Sequence, residues 1–263
     1  MRSREYIKYL KSIKRKKVLI LVTQLLILFL GLFIWEYLAR ENIINTFIYS
    51  SPSRIVKTII GLYNKGNLFN HIWITMYETI ISFVLATLFG TMVAIMLWYS
   101  NFLYKVMDPY LTVLNSLPKV ALGPVIIILS GANIKSIIIM ALLISLIITI
   151  TNVYTGFTNT DMNRIKLMHS FHAKKWQILW YLVIPYNYHV IISSLKINVG
   201  MSLVGVIMGE FLVSKAGIGY LINYGSQVFN LNLVYAGIVI LLIVSYLMYL
   251  IVLYIEKALI KNS

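Results

Sequence analysis

Side chains capable of chemistry are few and scattered in this chain. Its 263 residues include 23 Lys and Arg, only 8 Asp and Glu, four histidines and no cysteine. Only His169 and His172 lie close together, and a spacing of three residues could let one helix face present both to a metal ion. Two exposed histidines without a metal are the alternative. There is no GxxxxGK[ST], HExxH or GxSxG motif, so no P-loop, zinc-protease or serine-hydrolase chemistry is indicated.

The absence of cysteine narrows the functions further. It excludes disulfides, thiolate zinc sites, iron–sulfur ligation and a cysteine-linked lipid anchor on this chain. The GIG at 217–219 is not a dinucleotide signature, because no strand precedes it and no phosphate-binding context follows. We therefore predict no cofactor and no catalytic residue. An integral-membrane enzyme is an alternative that no residue constellation supports.

The composition is that of a membrane protein. Hydrophobic residues make up 60% of the chain and charged residues 12%, against about 45–50% and roughly a quarter in soluble domains. A spanning helix needs about 20 mostly apolar residues, and six segments meet this requirement: 18–39, 72–99, 103–131, 133–156, 187–213 and 232–256. The third of these must be broken or tilted, because it contains Asp108, Pro109, Pro118, Lys119 and Pro124.

The basic residues indicate the orientation in the membrane. Most of them fall in the tail 1–17 or, if the chain crosses the membrane six times, on the same side of the membrane as that tail. The loop 157–185 lies on that side as well. Because cytoplasmic segments of membrane proteins are rich in Lys and Arg, we expect both termini and this loop in the cytoplasm. The net charge of +15 then reflects contact with anionic lipid rather than nucleic acid. The fold class is an all-α integral membrane protein with about six transmembrane helices, one domain over 18–263.

The loop 157–185 has a helical pattern of its own. Asp161 can cap a helix that begins near Met162. One face of that helix would carry Ile165, Met168, His169 and His172, with Leu167 and Phe171 widening its apolar part. A second amphipathic run follows, with Trp176, Leu179, Trp180 and Val183 at helical spacing, until Pro185 allows a turn into the fifth span. For this run we expect a connector lying on the membrane, with its tryptophans at headgroup level.

A shorter amphipathic helix is predicted between the first two spans. Pro52 and Ser53 suit a helix start. Ile55, Ile59 and Leu62 would share one face. The orientation places this helix on the outer surface.

Polar residues within the predicted spans need an explanation, because a charge at the centre of a bilayer helix costs about 2.5–3.5 kcal/mol on insertion scales. Glu210, near the outer end of the fifth span, is predicted at the outer mouth of a pathway, or else reaching water. Lys196, nearer the inner end, would reach water or pair with carbonyls. Asp108 with Pro109 is interpreted as a helix start. Gly205 and Gly209 form GxxxG, which favours close helix packing, with a dimer seam as one place for that packing.

The third span offers the candidate path-lining groups. Pro118 and Pro124 each remove a backbone donor and free carbonyl groups in mid-membrane, which is tolerated where a helix lines a cavity or is buried in protein. A structural kink alone is the alternative. The candidate residues of the translocation path are Asn115, Ser116 and Lys119 of this span, together with Ser202 and Glu210 of the fifth span.

The loop also carries a resemblance. Lys166, Leu167 and Met168, then His172, then Pro185 have the spacing of the EAA loop in permease subunits of binding-protein-dependent ABC importers. Lys166 replaces the acidic residue of that pattern and His172 replaces its glycine. The glycine allows a left-handed turn, which His adopts at some cost.

Further stretches resemble the nitrate, sulfonate and taurine type of this family. They are SPSRIV before the second span, DPYLTVLNSLPKVALGPVIIILSG at 108–131, AKKWQ in the loop, and SSLKINVGMSLVGVIMGEFLVSKAGIGYLI at 193–222. Glu78 departs from the pattern, since a basic residue is expected there. The resemblance implies a fold like that of ABC importer type I permeases, in a multi-pass protein of a bacterial cell membrane.

The resemblance also implies partners. A separate ATPase subunit would bind the loop, an extracytoplasmic solute-binding protein would deliver the solute, and a second permease copy would complete a dimer in membrane lipid. The residues implied in ATPase coupling are Ile165, Lys166, Leu167, Met168, Phe171, His172, Ala173 and Lys174. The implied solute is an anion such as a sulfonate or nitrate, or a heterocyclic vitamin precursor.

An autonomous secondary transporter or channel is the alternative function. It would be indicated by paired intramembrane carboxylates or an internal repeat, and the sequence shows neither.

Overall fold

The computed structural model describes the backbone of residues 4–260 and the side chains of residues 12–258. The helices are α1 (Arg4–Arg40), α2 (Thr46–Tyr49), α3 (Pro52–Asn64), α4 (Leu68–Tyr99), α5 (Asn101–Ser116), α6 (Gly123–Ser130), α7 (Ile134–Thr158), α8 (Met162–Ser170), α9 (Lys175–Ile178), α10 (Ile184–Tyr186), α11 (Tyr188–Val213), α12 (Ile218–Gln227) and α13 (Leu231–Ile260). A 3₁₀ turn over Lys119–Leu122 precedes α6, and a π-helical turn over Leu179–Val183 precedes α10.

Five of these helices are long and apolar enough to cross a membrane: α1, α4, α7, α11 and α13. The sixth predicted span is the pair formed by Asn101–Ser116 and Lys119–Ser130, which bends by 93° at its break. The prediction of a broken third span is therefore confirmed. The all-helical class is confirmed as well. The segment 4–17, assigned to the basic tail, continues the first helix, and residues 1–3 lie outside the described part of the chain.

The centre of the bundle is the packing of α7 against α4 and α11. Glycines allow these backbones to approach. A Cβ on Gly90 would lie 2.7 Å from Cβ of Thr149, and one on Gly156 would lie 2.7 Å from Cγ1 of Val190. Gly205 faces the Cα of Ala141, and Gly209 faces Ile137. The close packing predicted for the GxxxG pair is therefore confirmed, and its partner is α7 of the same protomer rather than a second copy of the chain.

Polar side chains in this core hydrogen-bond to their own helices. Thr79 and Ser82 of α4, and Ser145 and Thr149 of α7, donate to carbonyl oxygens four residues earlier at 2.7–2.8 Å. These hydroxyls are buried. Such bonds remove the cost of an unpaired polar group in hydrocarbon.

An ion pair links α11 to α13. Lys196 Nζ lies 2.7 Å from Glu256 Oε2, and both side chains are largely buried. The partner of Lys196 is therefore a carboxylate, and the prediction of a snorkelling or carbonyl-paired ammonium is wrong. The sequence did not suggest Glu256, because it lies 60 residues further along the chain.

Helix α3 lies against the end of the bundle where α4 begins. It begins at Pro52, as predicted, and Ser51 caps it by accepting a hydrogen bond from the Arg54 amide. Ile55 is buried, and Ile59 and Leu62 pack on a cluster formed by residues of α4, α11, α12 and α13. The predicted apolar face is confirmed. Helix α1 is exposed along most of its length and touches α3 near its end, where Glu36 accepts from the Ser53 amide.

Replacing Gly205 by Ala should lower the stability of the bundle. The added Cβ meets backbone of α7, and overpacking of this kind costs about 1–3 kcal/mol. Gly200 is the matched control, since it lies on the same helix with open space around it, and Gly200→Ala should be neutral or stabilising by up to about 1 kcal/mol. Thermal unfolding of the two variants in detergent checks this. Equal midpoints would contradict the close approach of α7 and α11.

Candidate functional site

One side of α5 carries polar groups that stay exposed in the protomer although α7 lies beside them. Asp108, Thr112, Asn115 and Ser116 are exposed. With hydroxyl-bearing residues of α7, they line a cavity of about 270 Å³ between the two helices. The structure thus brings Asn115 and Ser116 together with Asp108. The interpretation of Asp108 as a helix start is wrong, because α5 begins at Asn101.

Lys119 lies at the break between α5 and α6. The helix ends at Ser116, and Pro118 cannot donate a backbone hydrogen bond. Lys119 Nζ donates to the Asn115 carbonyl oxygen at 3.0 Å. This bond replaces the backbone amide bond that the carbonyl would accept if the helix continued. Lys119 takes part in none of the salt bridges formed by the described residues. Its ammonium group therefore lies at the bend with a carbonyl as its partner.

Glu210 and Ser202 are placed differently from the prediction. Glu210 is 1% exposed and Ser202 is 0% exposed, so neither side chain lines an open surface of this protomer. The path assignment of these two residues is not supported, because both point between packed helices. Burial also excludes the alternative in which Glu210 reaches water.

Glu210 instead holds the turn between α11 and α12. Its carboxylate accepts from Thr75 Oγ1 at 2.6 Å and from the Gly219 amide at 2.5 Å. Thr75 Oγ1 in turn accepts from the Ile218 amide at 2.8 Å. Since a carboxylate at a helix N-terminus satisfies free amides and complements the helix dipole, Glu210 fixes the start of α12. Gly217, at φ +117°, leaves the space that the carboxylate fills.

A second carboxyl group lies beside Glu210. Glu78 of α4 is fully buried, and its side chain is adjacent to that of Glu210. Neither Glu78 oxygen has a hydrogen-bond donor among the described residues. The sequence-based statement that no carboxylates pair within the membrane is therefore wrong: the fold brings together two residues 132 positions apart.

The loop after α7 forms the helix that the sequence predicts. Helix α8 starts at Met162, and Asp161 Oδ1 accepts from the Asn163 amide at 2.9 Å. The helix ends in a left-handed turn at His172, with φ +56°. The His172 amide donates to the His169 carbonyl at 2.9 Å and the Ala173 amide to the Met168 carbonyl at 3.1 Å. This is a Schellman ending, with His172 at the position that usually holds glycine.

The predicted coupling residues divide between two sides of α8. Ile165, Met168 and Ala173 are half-buried and pack on a cluster made by α4, α7 and residues 178–183. The exposed members are Lys166, Leu167, Phe171, His172 and Lys174. Leu167 and Phe171 are 57% and 73% exposed. The inward residues fix the helix on the membrane domain, and the outward ones leave an apolar surface bordered by lysines.

The loop is closed at its neck by Asn187. This side chain is buried and donates from Nδ2 to Thr160 Oγ1 at 2.6 Å and to the Val183 carbonyl at 2.9 Å. The end of α7 and the start of α11 are thus tied together. In the second run Leu179 and Val183 are buried while Trp176 and Trp180 are exposed, as expected for a connector at the membrane surface.

Several functional contacts escaped sequence reasoning. His71, Thr75 and Asn187 carry no local pattern, and their partners are between 27 and 146 residues away. Among the described residues, no three His, Asp or Glu side chains are placed to hold a metal ion. The structure therefore gives no support to a metal site at His169 and His172.

The fold and this arrangement define a class of transport protein. The family described as binding-protein-dependent transport system inner membrane component matches residues 86–261, and the chain belongs to that family. It is a multi-pass protein of the cell membrane and a permease component of an ABC importer. The family consists of transport components rather than enzymes.

Individual relatives agree with this assignment. The chain is 26% identical to the aliphatic sulfonates transport permease of Bacillus subtilis (strain 168), over 87% of this chain and 83% of that protein. It is 26% identical to the formylaminopyrimidine transport permease of Halalkalibacterium halodurans, over 71% and 74%. A chain of the inward-facing MetNI methionine ABC transporter matches with a TM-score of 0.65 at 18% identity, covering 73% of this chain and 95% of that one. The resemblance stated from the sequence is confirmed.

Replacing Gly217 by Ala should destabilise the turn that Glu210 holds. Both Gly66, at φ +73°, and Gly217, at φ +117°, have positive φ, so an Ala at Gly66 should cost about 1–2 kcal/mol in backbone strain. Gly217 has ψ 168° and so lies in a region essentially restricted to glycine, where an Ala should cost about 1–3 kcal/mol. A Cβ at Gly66 meets open space, whereas one at Gly217 overlaps the Glu210 carboxyl. The Gly217→Ala variant should therefore unfold at a clearly lower temperature than Gly66→Ala in detergent. Equal losses would show that the carboxyl does not occupy this space.

Proposed function

We propose that α5 lines the solute path of this permease and that a second copy of the chain completes the path. The observation that supports this is the exposed polar side of α5 within an otherwise apolar, membrane-spanning bundle. Polar side chains inside a bilayer face water or protein and do not face lipid. Asp108, Thr112, Asn115 and Ser116 therefore need a water-filled path or a partner protomer beside them.

The solute is proposed to be a small anion. Lys119 supplies an ammonium group at the bend of the broken span, and no salt bridge among the described residues neutralises it. One relative, the sulfonate permease of Bacillus subtilis, is named for an anionic solute. A heterocyclic solute is the second candidate, because the formylaminopyrimidine permease is similar over most of this chain.

Coupling to ATP hydrolysis is proposed to occur at α8. The chain has no P-loop motif, so a separate ATPase subunit would bind ATP and hydrolyse it. Leu167 and Phe171 offer exposed apolar contact area, and Lys166, His172 and Lys174 surround it. Apolar side chains within a polar rim are typical of protein contacts.

The neck of the loop supports its use as a coupling element. Asn187 and Thr160 are hydrogen-bonded, and Met168 and Ala173 pack on the membrane domain. A displacement of α8 by the ATPase would therefore move the ends of α7 and α11 with it. Rigid-body switching of this kind, biased by nucleotide, is a common mode of conformational change.

The remaining proposed partners follow from the family and the membrane. An extracytoplasmic solute-binding protein would deliver the solute on the face opposite α8. Membrane lipid would surround α1 and the outer sides of α4 and α13, whose apolar side chains are exposed in the protomer.

The path assignment can be tested by thiol labelling, because the chain contains no cysteine. Asn115→Cys should react in liposomes with a charged, membrane-impermeant methanethiosulfonate reagent, since reaction requires a hydrated thiolate. Leu242→Cys is the control, because Leu242 is 64% exposed on α13 and expected to face lipid. We expect the Asn115 variant to react about tenfold faster or more. Equal rates would place Asn115 away from a water-filled path.

The coupling surface can be tested with Phe171→Ala. Removal of an exposed aromatic anchor from a protein contact typically costs 1 kcal/mol or more, so affinity for the ATPase subunit should fall by about tenfold while the melting temperature stays unchanged. Phe229→Ala is the matched control: Phe229 is 72% exposed, close to the 73% of Phe171, and lies on the turn between α12 and α13. Unchanged affinity of the Phe171 variant in a pull-down titration would show that α8 is not the contact.

A further inference from the structure

A cavity of about 680 Å³ opens at the end of the bundle remote from α8. Helix α4 defines the two ends. Its last residues, Trp98 and Tyr99, lie under the ammonium group of Lys175 in the coupling loop, whereas its first turn, with Asn70 and His71, lines the cavity. In the orientation that the basic residues predict, the cavity is extracytoplasmic.

The cavity is electropositive. Among the residues that the structure describes, its charged lining groups are Lys65 and Lys215, and no Asp or Glu lines it. Neither lysine takes part in a salt bridge among the described residues. Asn67, Asn70 and Asn230 add amide groups. Asn230 Oδ1 accepts from the Leu233 amide, which leaves its NH₂ group as the part available to a ligand.

His71 adds a directed donor to the wall of the cavity. Its Nδ1 accepts a hydrogen bond from the Gly217 amide at 2.9 Å, so a neutral ring carries its proton on Nε2. The ring is stacked on Tyr220, with centroids 6.0 Å apart. No described residue accepts a hydrogen bond from Nε2. The cavity therefore combines two ammonium groups with a fixed N–H donor, which is an arrangement suited to a carboxylate.

The position of the cavity indicates where that carboxylate comes from. All of its lining residues belong to α3, α4, α12, α13 and the turns beside them. None belongs to α5 or α7, which line the cavity proposed as part of the solute path. A free solute captured here would lie outside that path. By contrast, an acidic side chain on the surface of a docked protein could bind in this cavity without entering the solute path.

We propose that this cavity receives an Asp or Glu side chain of the extracytoplasmic solute-binding protein, held by Lys65, Lys215 and His71. The proposal rests on the proposed function, because it takes the existence of that partner from it. The docked carboxylate would contact His71, which is hydrogen-bonded to the turn between α11 and α12. His71 bonds the Gly217 amide, and the next amide, that of Ile218, bonds Thr75 and through it Glu210. Docking would thereby stiffen a turn at the end of α11.

The test is charge reversal in the assembled transporter. Lys65→Glu combined with Lys215→Glu, in nanodiscs with the ATPase subunit bound, should weaken binding of the solute-binding protein encoded with the permease by about tenfold or more, because like charges would face each other. Lys57→Glu is the matched control. Lys57 is exposed on α3, the helix that Lys65 directly follows, and does not line the cavity, so this variant should change the affinity less than about threefold.

Each outcome separates the hypotheses. Parent-like affinity of the double variant overturns the docking proposal, whereas a parent transporter that binds no solute-binding protein overturns the proposed function itself. A carboxylate-to-lysine change in the binding protein that restores the affinity of the double variant identifies the docked residue. Sulfate serves as the free-anion probe in a thermal-shift titration. If the double variant loses stabilisation by sulfate but keeps parent-like binding of the partner, the cavity holds free anions and the docking proposal fails.

Discussion

The hydrocarbon of a bilayer offers no hydrogen-bond partner, and this constraint decides where each polar group of the chain can lie. Hydroxyl groups of α4 and α7 bond to carbonyls of their own helices. The ammonium of Lys196 pairs with Glu256 across two helices. Helix α5 is different, because Asp108, Thr112, Asn115 and Ser116 lie exposed on one side of it, beside a cavity shared with α7. Exposed polar groups inside a membrane need water or a partner protein beside them.

Two ties fix the ends of α11. At its start Asn187 bonds Thr160 at the neck of the coupling loop, and near its end Glu210 bonds Thr75 and the first turn of α12. The whole helix runs unbroken for 26 residues, about 39 Å at 1.5 Å per residue. The same helix therefore joins the proposed ATPase contact to the turn beside the extracytoplasmic cavity. Its close packing on α7, through Gly205 and Gly209, makes the two helices one rigid unit.

The residues His172 and Glu78 both depart from the family pattern, and they have different structural consequences. His172 takes the place of a glycine yet keeps the left-handed turn at φ +56°, so the geometry of the loop survives at a cost in backbone strain. Glu78 stands where a basic residue is expected and is buried beside Glu210, and no described residue donates a hydrogen bond to either of its oxygens. A basic residue there would have neutralised Glu210. In the absence of a basic residue at this position, the Glu210 carboxylate is stabilised by hydrogen bonds from Thr75 and Gly219.

The sequence by itself determined the features that depend on neighbouring residues. Apolar runs located the spans, the prolines predicted a broken or tilted third span, and the Asp161 cap predicted the start of α8. These succeed because a helix and its caps are decided within about four residues along the chain. Only the tertiary structure decided which polar groups meet. Glu210 and Thr75 are separated by 135 positions. Glu256 forms an ion pair with Lys196 of another helix, and the GxxxG face packs on α7 of the same protomer. Such pairings follow from how the helices dock, which no local pattern in the sequence encodes.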